Sequence, residues 1–257
     1  MKRMSSSPKK ASAEPAPRSI LAVDVGGRGL KVLATGQSEP RRRASGPHLT
    51  PQDMVAAVAE LAEDWSYEAV SIGYPGQVGD HGPRSEPGNL GPGWVGFDFH
   101  AAFGKPVRII NDAAMQALGS YDGGRMLYLG LGTGLGSTLI SGSVIVPLEL
   151  GQLSYRKGRL LGEVLGRSGL RRLGKRKWRR ALAEVVPALM GALLVDYVVL
   201  GGGNAKKVKE PPSGCRLSNN LTAFRGGFRL WHLEDVRTLS GEERPPTPPS
   251  VDEWRLI

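Results

Sequence analysis

The chain has 257 residues, 40% of them hydrophobic, which is enough to bury a core as one large domain or two small ones. Its one cysteine, Cys215, excludes an internal disulfide and any multi-cysteine zinc site, so no structural zinc is expected. No run approaches the roughly 18 apolar residues of a membrane span, and the N-terminal stretch lacks the apolar centre of a signal peptide, so a cytoplasmic protein without membrane partners is expected.

The formal charge of +10 is unevenly spread, because residues 156–180 carry eleven Lys and Arg against the single acid Glu163, while the rest balances at 23 cations and 23 acids. Such a segment suits a polyanion, and equally a solvated basic helix face. Aromatic interleaving is missing, with Tyr155 and Trp178 only at its ends, which argues against single-stranded nucleic acid.

In chain order, residues 1–18 are rich in Ser, Pro, Ala and Lys, lack apolar periodicity and are expected to be a disordered tail. Residues 20–25 and 30–35 read as paired strands around Asp24-Val25-Gly26-Gly27-Arg28-Gly29-Leu30-Lys31, followed by a basic loop at Arg41-Arg42-Arg43. Thr50 caps a predicted helix, with Asp53 at its third position and Met54, Val55, Val58, Leu61 and Ala62 at helical spacing. Residues 69–74 form the next strand. Residues 75–96, dominated by Gly, Pro and Asn, are an irregular candidate for substrate contact. A strand at 106–111 gives way to a short helix at 112–119, and residues 125–131 lead into a second turn, Gly130-Leu131-Gly132-Thr133-Gly134-Leu135-Gly136. Residues 137–141 and 144–146 complete a hairpin. An amphipathic helix at 178–194 precedes a buried strand at 197–200, which ends at Gly201-Gly202-Gly203-Asn204 and opens a helix. Residues 236–257, with Pro245-Pro246-Thr247-Pro248-Pro249, are expected to be a second disordered tail. Hairpins at the start of each half, followed by alternating strands and helices, predict two similar α/β lobes, 19–111 and 112–235, with a cleft between them.

Two glycine turns facing each other can hold a phosphate chain, since glycine lets backbone N–H groups close around phosphate oxygens. Asp24, at a strand end, can hold a hydrated Mg²⁺ against the same phosphates. Two ordinary β-hairpins are the competing reading. Neither turn has Rossmann spacing, and nothing reads as a P-loop. Asn111-Asp112 sits where a strand meets a helix: Asp112 can take a proton from a hydroxyl while Asn111 bonds another hydroxyl, or Asp112 is simply the helix cap. Glu149 and Gln152, after Pro147, offer a carboxylate and an amide to neighbouring sugar hydroxyls, or form a solvated loop. The turn at Gly201, Gly202, Gly203 and Asn204 lets backbone approach a flat ring or a phosphate, or is a tight connection.

In this order the elements resemble the ROK family of sugar kinases, within the actin-hexokinase superfamily, and most closely its polyphosphate glucokinase branch. The resemblance runs from about residue 20 to 231 and implies a two-lobed, actin-like ATPase or ribonuclease-H-like α/β fold that transfers a phosphoryl group to the 6-hydroxyl of glucose. It assigns Asp24, Gly26, Gly27, Arg28, Gly29 and Lys31 to the first phosphate loop and Gly132, Thr133 and Gly134 to the second. It makes Asp112 the catalytic base and Asn111, Glu149, Gln152 and Glu163 sugar-binding, with Asn89 and Trp94 lining the sugar pocket. Gly201, Gly202, Gly203 and Asn204 match its adenosine loop. Mg²⁺, polyphosphate with ATP as a second donor, and a homodimer follow from the same resemblance. Two positions depart from the pattern. Gln152 stands where the family has His after Glu-Leu-Gly, and Arg28 stands where a Thr or Ser hydroxyl usually holds phosphate. A sugar- or polyphosphate-binding protein that has lost turnover through these two changes is the alternative, as is a hexose kinase using ATP alone.

Overall fold

The computed structural model describes residues 17–142, 144–219, 221–231 and 237–238. The two expected tails fall outside the described residues apart from Pro17, Arg18, Arg237 and Thr238.

The first half builds a five-stranded sheet from β1 (Ile20–Gly26), β2 (Gly29–Ala34), β3 (Arg41–Ala44), β4 (Ala69–Tyr74) and β7 (Val107–Asn111), in the order β3-β2-β1-β4-β7. A small ribbon, β5 (Val78–Gly79) with β6 (Gly82–Pro83), decorates the otherwise irregular segment after β4. The second half builds a sheet from β8 (Arg125–Leu131), β9 (Leu135–Ser141), β10 (Val144–Leu148), β11 (Tyr197–Gly201), β12 (Cys215–Leu217) and β13 (Arg237–Thr238), in the order β12-β11-β8-β9-β10-β13. Three antiparallel strands followed by two parallel additions recur in both sheets, as β3-β2-β1-β4-β7 and as β10-β9-β8-β11-β12. The expected pair of similar α/β lobes is therefore present in the backbone, without a sequence repeat.

The basic stretch Arg41-Arg42-Arg43, expected as a loop, is instead the edge strand β3. Charged residues are tolerated there because an edge strand is solvated on its open side; Arg41 pairs with Asp64 and Arg43 with Glu60. Helix α1 (Pro51–Leu61) follows the expectation closely: Thr50 accepts from the Asp53 N–H while the Asp53 carboxylate accepts from the Thr50 N–H.

Strand periodicity divides each sheet into two buried faces. In β1, Leu21, Val23 and Val25 join the core under α1, while Ala22 packs with Phe224 on the opposite face. In β8, Leu127, Leu129 and Leu131 face the helices α4 (Leu161–Leu165) and α5 (Arg167–Leu193), while Met126 and Tyr128 face α3 (Asp112–Ser120). Helix α3 thus contacts strands of both sheets and is their shared layer. It is joined there by α6 (Thr222–Arg229), which the sequence reading does not contain. The two helices cross at backbone contact: a Cβ on Gly119 would lie 1.8 Å from the Thr222 carbonyl oxygen, and one on Gly226 1.8 Å from the Met115 carbonyl oxygen. Although it follows β12 of the second sheet, α6 packs on β1 and β4 of the first sheet, where Ser71 Oγ donates to the Gly227 carbonyl at 2.6 Å.

The basic helix also departs from expectation. It extends from Arg167 to Leu193 and breaks at Gly174, where φ is +70° and the path turns out of helical geometry. Trp178, just beyond the break, is fully buried and donates its indole N–H to the Leu165 carbonyl, so one side of this segment belongs to the core.

Candidate active site

Asp24 lies near the end of β1, on the face turned to α3, paired in register with Gly73 of β4. Gly73 in turn packs against the start of α3: a Cβ there would sit 3.5 Å from the Asp112 Cα and 2.5 Å from the Met115 methyl. Asp24 and Asp112 thereby flank Gly73, near enough for the Asp24 charge to act on the Asp112 carboxyl. Asp24 is buried and ion-paired, with Lys31 Nζ 2.8 Å from its Oδ2 across the β1–β2 hairpin.

Asp112 has no cationic partner among the described residues. Its carboxyl pKa is pushed up to about 7, first by loss of hydration, then by the Asp24 charge and more weakly by Glu149, against the Ala113 N–H that donates to it at 2.8 Å. The structure separates the two roles that the sequence left open at this strand-to-helix junction. Asn111 is the helix cap, its Oδ1 accepting from the N–H groups of Ala113 and Ala114, and Asp112 is the first helical residue. Asn111 Nδ2 also donates to the Gly76 carbonyl at 3.0 Å, which leaves one amide hydrogen for a ligand.

Both glycine turns are hairpin turns, Gly26 pairing with Gly29 and Leu131 with Leu135. The hairpin and phosphate readings therefore coincide. In the first turn, Gly27 touches Asn89, whose Nδ2 would lie 2.2 Å from a Cβ at that position. This contact brings the irregular 75–96 segment to the phosphate side of the site. In the second turn, neither Gly132 nor Gly134 has a positive φ, and a Cβ on either would meet nothing within 4 Å. Neither backbone conformation nor packing of the protein requires glycine there, which fits a surface kept clear for a ligand.

The second turn is fastened from behind. The Asn204 side chain donates to the Gly132 carbonyl at 3.1 Å, the Asn204 N–H donates to the Leu131 carbonyl at 2.9 Å, and the Arg167 N–H donates to the Gly132 carbonyl at 3.0 Å. Gly201 to Gly203 opens only into a single 3-10 turn, Ala205–Lys207, where a full helix was expected. The anion-binding end of a helix is thus missing from this loop. Gly201 is glycine for a different reason: a Cβ would lie 2.1 Å from the Tyr128 hydroxyl. That hydroxyl donates to Gln116 Oε1 at 2.6 Å, tying α3 to β8 beside the third glycine turn.

The proposed sugar side is more open. Glu149 is exposed and close enough to raise the Asp112 pKa, and its segment is pinned to β9 by Ser137, whose hydroxyl donates to the Leu148 carbonyl and accepts from the Leu150 N–H. Gln152 is exposed in the short 3-10 turn Leu150–Gln152. Glu163 is committed locally, its carboxylate accepting from the Leu160 N–H at the start of α4. Trp94 is not a pocket wall: it is fully buried, with ring centroids 5.4 Å from Tyr74 and 6.3 Å from Phe99. The sequence reading missed Tyr128, Gln116, Ser137 and Arg167 as supports, since each acts through a partner distant in sequence.

No family model matches the chain. The polyphosphate glucokinase of Mycobacterium tuberculosis is 26% identical over 211 residues, covering 73% of this chain and 78% of the relative. The bifunctional enzyme NanE/NanK of Brucella melitensis is 30% identical over 168 residues, 60% of this chain and 32% of that enzyme. Among solved structures, the inorganic polyphosphate/ATP-glucomannokinase of Arthrobacter sp. strain KM aligns with a TM-score of 0.72 at 23% identity, covering 86% of this chain and all of the other. A ROK family glucokinase from Streptomyces griseus, solved with glucose and AMPPNP, aligns with a TM-score of 0.66 at 16% identity over 83% of this chain and 99% of its own. The two-lobed topology and the sequence relatives agree: the chain is similar to ROK family sugar kinases, polyphosphate glucokinases among them.

Proposed function

We propose that the protein is a sugar kinase that moves the terminal phosphoryl group of polyphosphate, with ATP as a second donor, to the 6-hydroxyl of glucose. The observation that carries this reading is Asp112: a carboxyl at the first residue of α3 whose pKa is pushed up to about 7 by burial and by the Asp24 charge. A base needs a pKa near the working pH, and burial beside a second carboxylate supplies it. Asp112 accepts the hydroxyl proton as the sugar oxygen attacks. Backbone N–H groups of the first glycine turn and of residues 133–134 stabilise the charge on the transferred group, the Gly132 N–H being committed to the Gly130 carbonyl. Lys31 holds Asp24 in place and adds a positive charge to the same side.

For the sugar, Glu149, the remaining amide hydrogen of Asn111, Asn89 and the exposed Gln152 provide donors and acceptors around Asp112. Glu163, committed to the α4 terminus, contributes from outside that group. Among the described residues no three His, Cys, Asp or Glu side chains gather as an all-protein metal cage. One carboxylate with donor phosphates is the usual holding of Mg²⁺, and Asp24 fits that role. When bound, the ion would neutralise charge on the phosphates.

Polyphosphate is favoured over ATP by the basic helix and by the third glycine turn, where glycine accommodates Tyr128 and no helix terminus faces the cleft. The named activities of the Mycobacterium and Arthrobacter proteins support the same assignment. A cytoplasmic homodimer, with lobes at 19–111 and 112–235, completes the proposal. The test is glucose 6-phosphate formation by the purified protein with Mg²⁺ and either polyphosphate or ATP, beside mannose and other hexoses. Turnover with polyphosphate is expected; glucose bound without phosphorylation by either donor would leave a binding protein instead.

A further inference from the structure

Five arginines are ion-paired among the described residues: Arg41 with Asp64, Arg43 with Glu60, Arg125 with Asp196, Arg156 with Glu184 and Arg216 with Asp122. Within the basic segment, Arg172 donates to the Glu163 carbonyl and Arg179 to the Lys207 carbonyl. Both are thereby drawn back onto the protein surface. Of the arginines without an ion pair, three stand at or beside the glycine turns. Arg28 is exposed at the tip of the first glycine turn. Arg167 is anchored on the second turn through its backbone N–H. Arg171 lies one helical turn further along the same face of α5. None of the three makes an ion pair among the described residues. They nevertheless gather: the Arg167 guanidinium is made less basic by partial burial and then by the charges of Arg28 and Arg171.

We infer that Arg28, Arg167 and Arg171 form one subsite, shared by the two lobes, for the phosphates of a linear polyphosphate that lie beyond the transferred group. It rests on the reading of the cleft as a phosphoryl-transfer site and adds where the donor chain goes. Three like charges held together without an acid are unfavourable until an anion joins them. A linear polyanion that starts between the glycine turns reaches all three, whereas a nucleotide ends in an adenosine that carries no charge for them. Guanidinium groups grip phosphate oxygens in pairs, which gives Arg28 a function that a Thr or Ser hydroxyl at this position would not perform.

The test is direct binding of linear polyphosphate by calorimetry, without sugar, over a series of salt concentrations. The proteins compared are the unmodified protein, Arg28→Thr, Arg171→Gln, and Arg180→Gln as a control on the same helix, each first checked for unchanged melting. Arg28→Thr and Arg171→Gln are each expected to weaken binding about tenfold. Each should also reduce the slope of log affinity against log salt by roughly 0.7–0.9, one counterion released per lost contact. Arg180→Gln is expected to stay within about twofold, the usual effect of a solvated charge. Equal losses in all three variants would overturn the inference in favour of a diffuse basic face, and so would no loss in Arg28→Thr. Failure of the unmodified protein to bind polyphosphate would overturn it as well, while leaving an ATP-dependent kinase standing. Arginine-dependent binding without sugar phosphorylation would instead count against the functional reading alone.

Discussion

Asp24 and Asp112 meet across Gly73: the first pairs with it in the sheet, and the Cα of the second packs against it from the start of α3. A Cβ at position 73 would lie 3.5 Å from the Asp112 Cα, so α3 starts directly over this strand, and the Asp24 charge is part of what raises the Asp112 carboxyl to about 7.

Replacing Asp112 by Asn should slow phosphoryl transfer by roughly 10² to 10⁴ while sugar binding persists. Steady-state rates together with glucose titration separate the two effects. Turnover equal to the unmodified protein would make Asp112 a structural residue only.

Because the Asp112 base must be ionised, the rate should rise as pH increases through about 7. Stability runs the other way. The folded-state pKa lies above the unfolded one, so the favourable contribution of the protonated carboxyl is complete below the unfolded value and is lost as pH rises through about 7. Asp112→Asn should therefore raise the melting temperature at pH 8 relative to the unmodified protein and change it little at pH 4. The same shift at both pH values would show that this linkage is absent.

Gln152→His introduces the side chain expected after Glu-Leu-Gly in this family. It should lower the KM for glucose or widen the difference between glucose and other hexoses, because an unmatched hydrogen-bonding group at a sugar hydroxyl changes specificity strongly. Unchanged constants for every hexose would place residue 152 outside the sugar site.

Gly226→Val would put a side chain into the Met115 carbonyl, 1.8 Å from the new Cβ. Since both contacting surfaces are backbone, no side chain can move aside. A loss of about 3 kcal/mol or more is expected, equivalent to a fall of roughly 6–12 °C in Tm by calorimetry. A fall of less than about 2 °C would mean that the two helices are able to separate without loss.

Tyr128→Phe keeps the ring and removes the hydroxyl that fills the space over Gly201, leaving Gln116 Oε1 without its partner. A cost of about 1–3 kcal/mol is expected, read as a lower Tm by calorimetry than in the unmodified protein. An unaltered Tm would break the proposed tie between α3 and β8.

The sequence by itself determined strands β1, β2, β4 and β7 to β11, the two glycine hairpins and the capped helix α1. These rest on local signals: period-two apolar runs, glycine between strands, and Thr50 three residues before Asp53. The same local signals placed Asp112 at a strand-to-helix junction, though they could not decide between it and Asn111 as the cap, which depends on one rotamer. Tertiary structure alone decided the rest. Helix α6 was illegible because Gly226-Gly227 reads as a helix breaker. Gly226 is required by the backbone of α3 and Gly227 by the Ala22 methyl of β1, residues about 100 or more positions away in the chain. The strand at Arg41–Ala44 was hidden for a related reason: its charges oppose strand formation locally and are acceptable only at a solvated sheet edge beside Glu60 and Asp64. The meeting of Asp24, Asp112 and Glu149, like that of Arg28 with Arg167, joins residues far apart in the chain, and no periodicity or spacing records such distances.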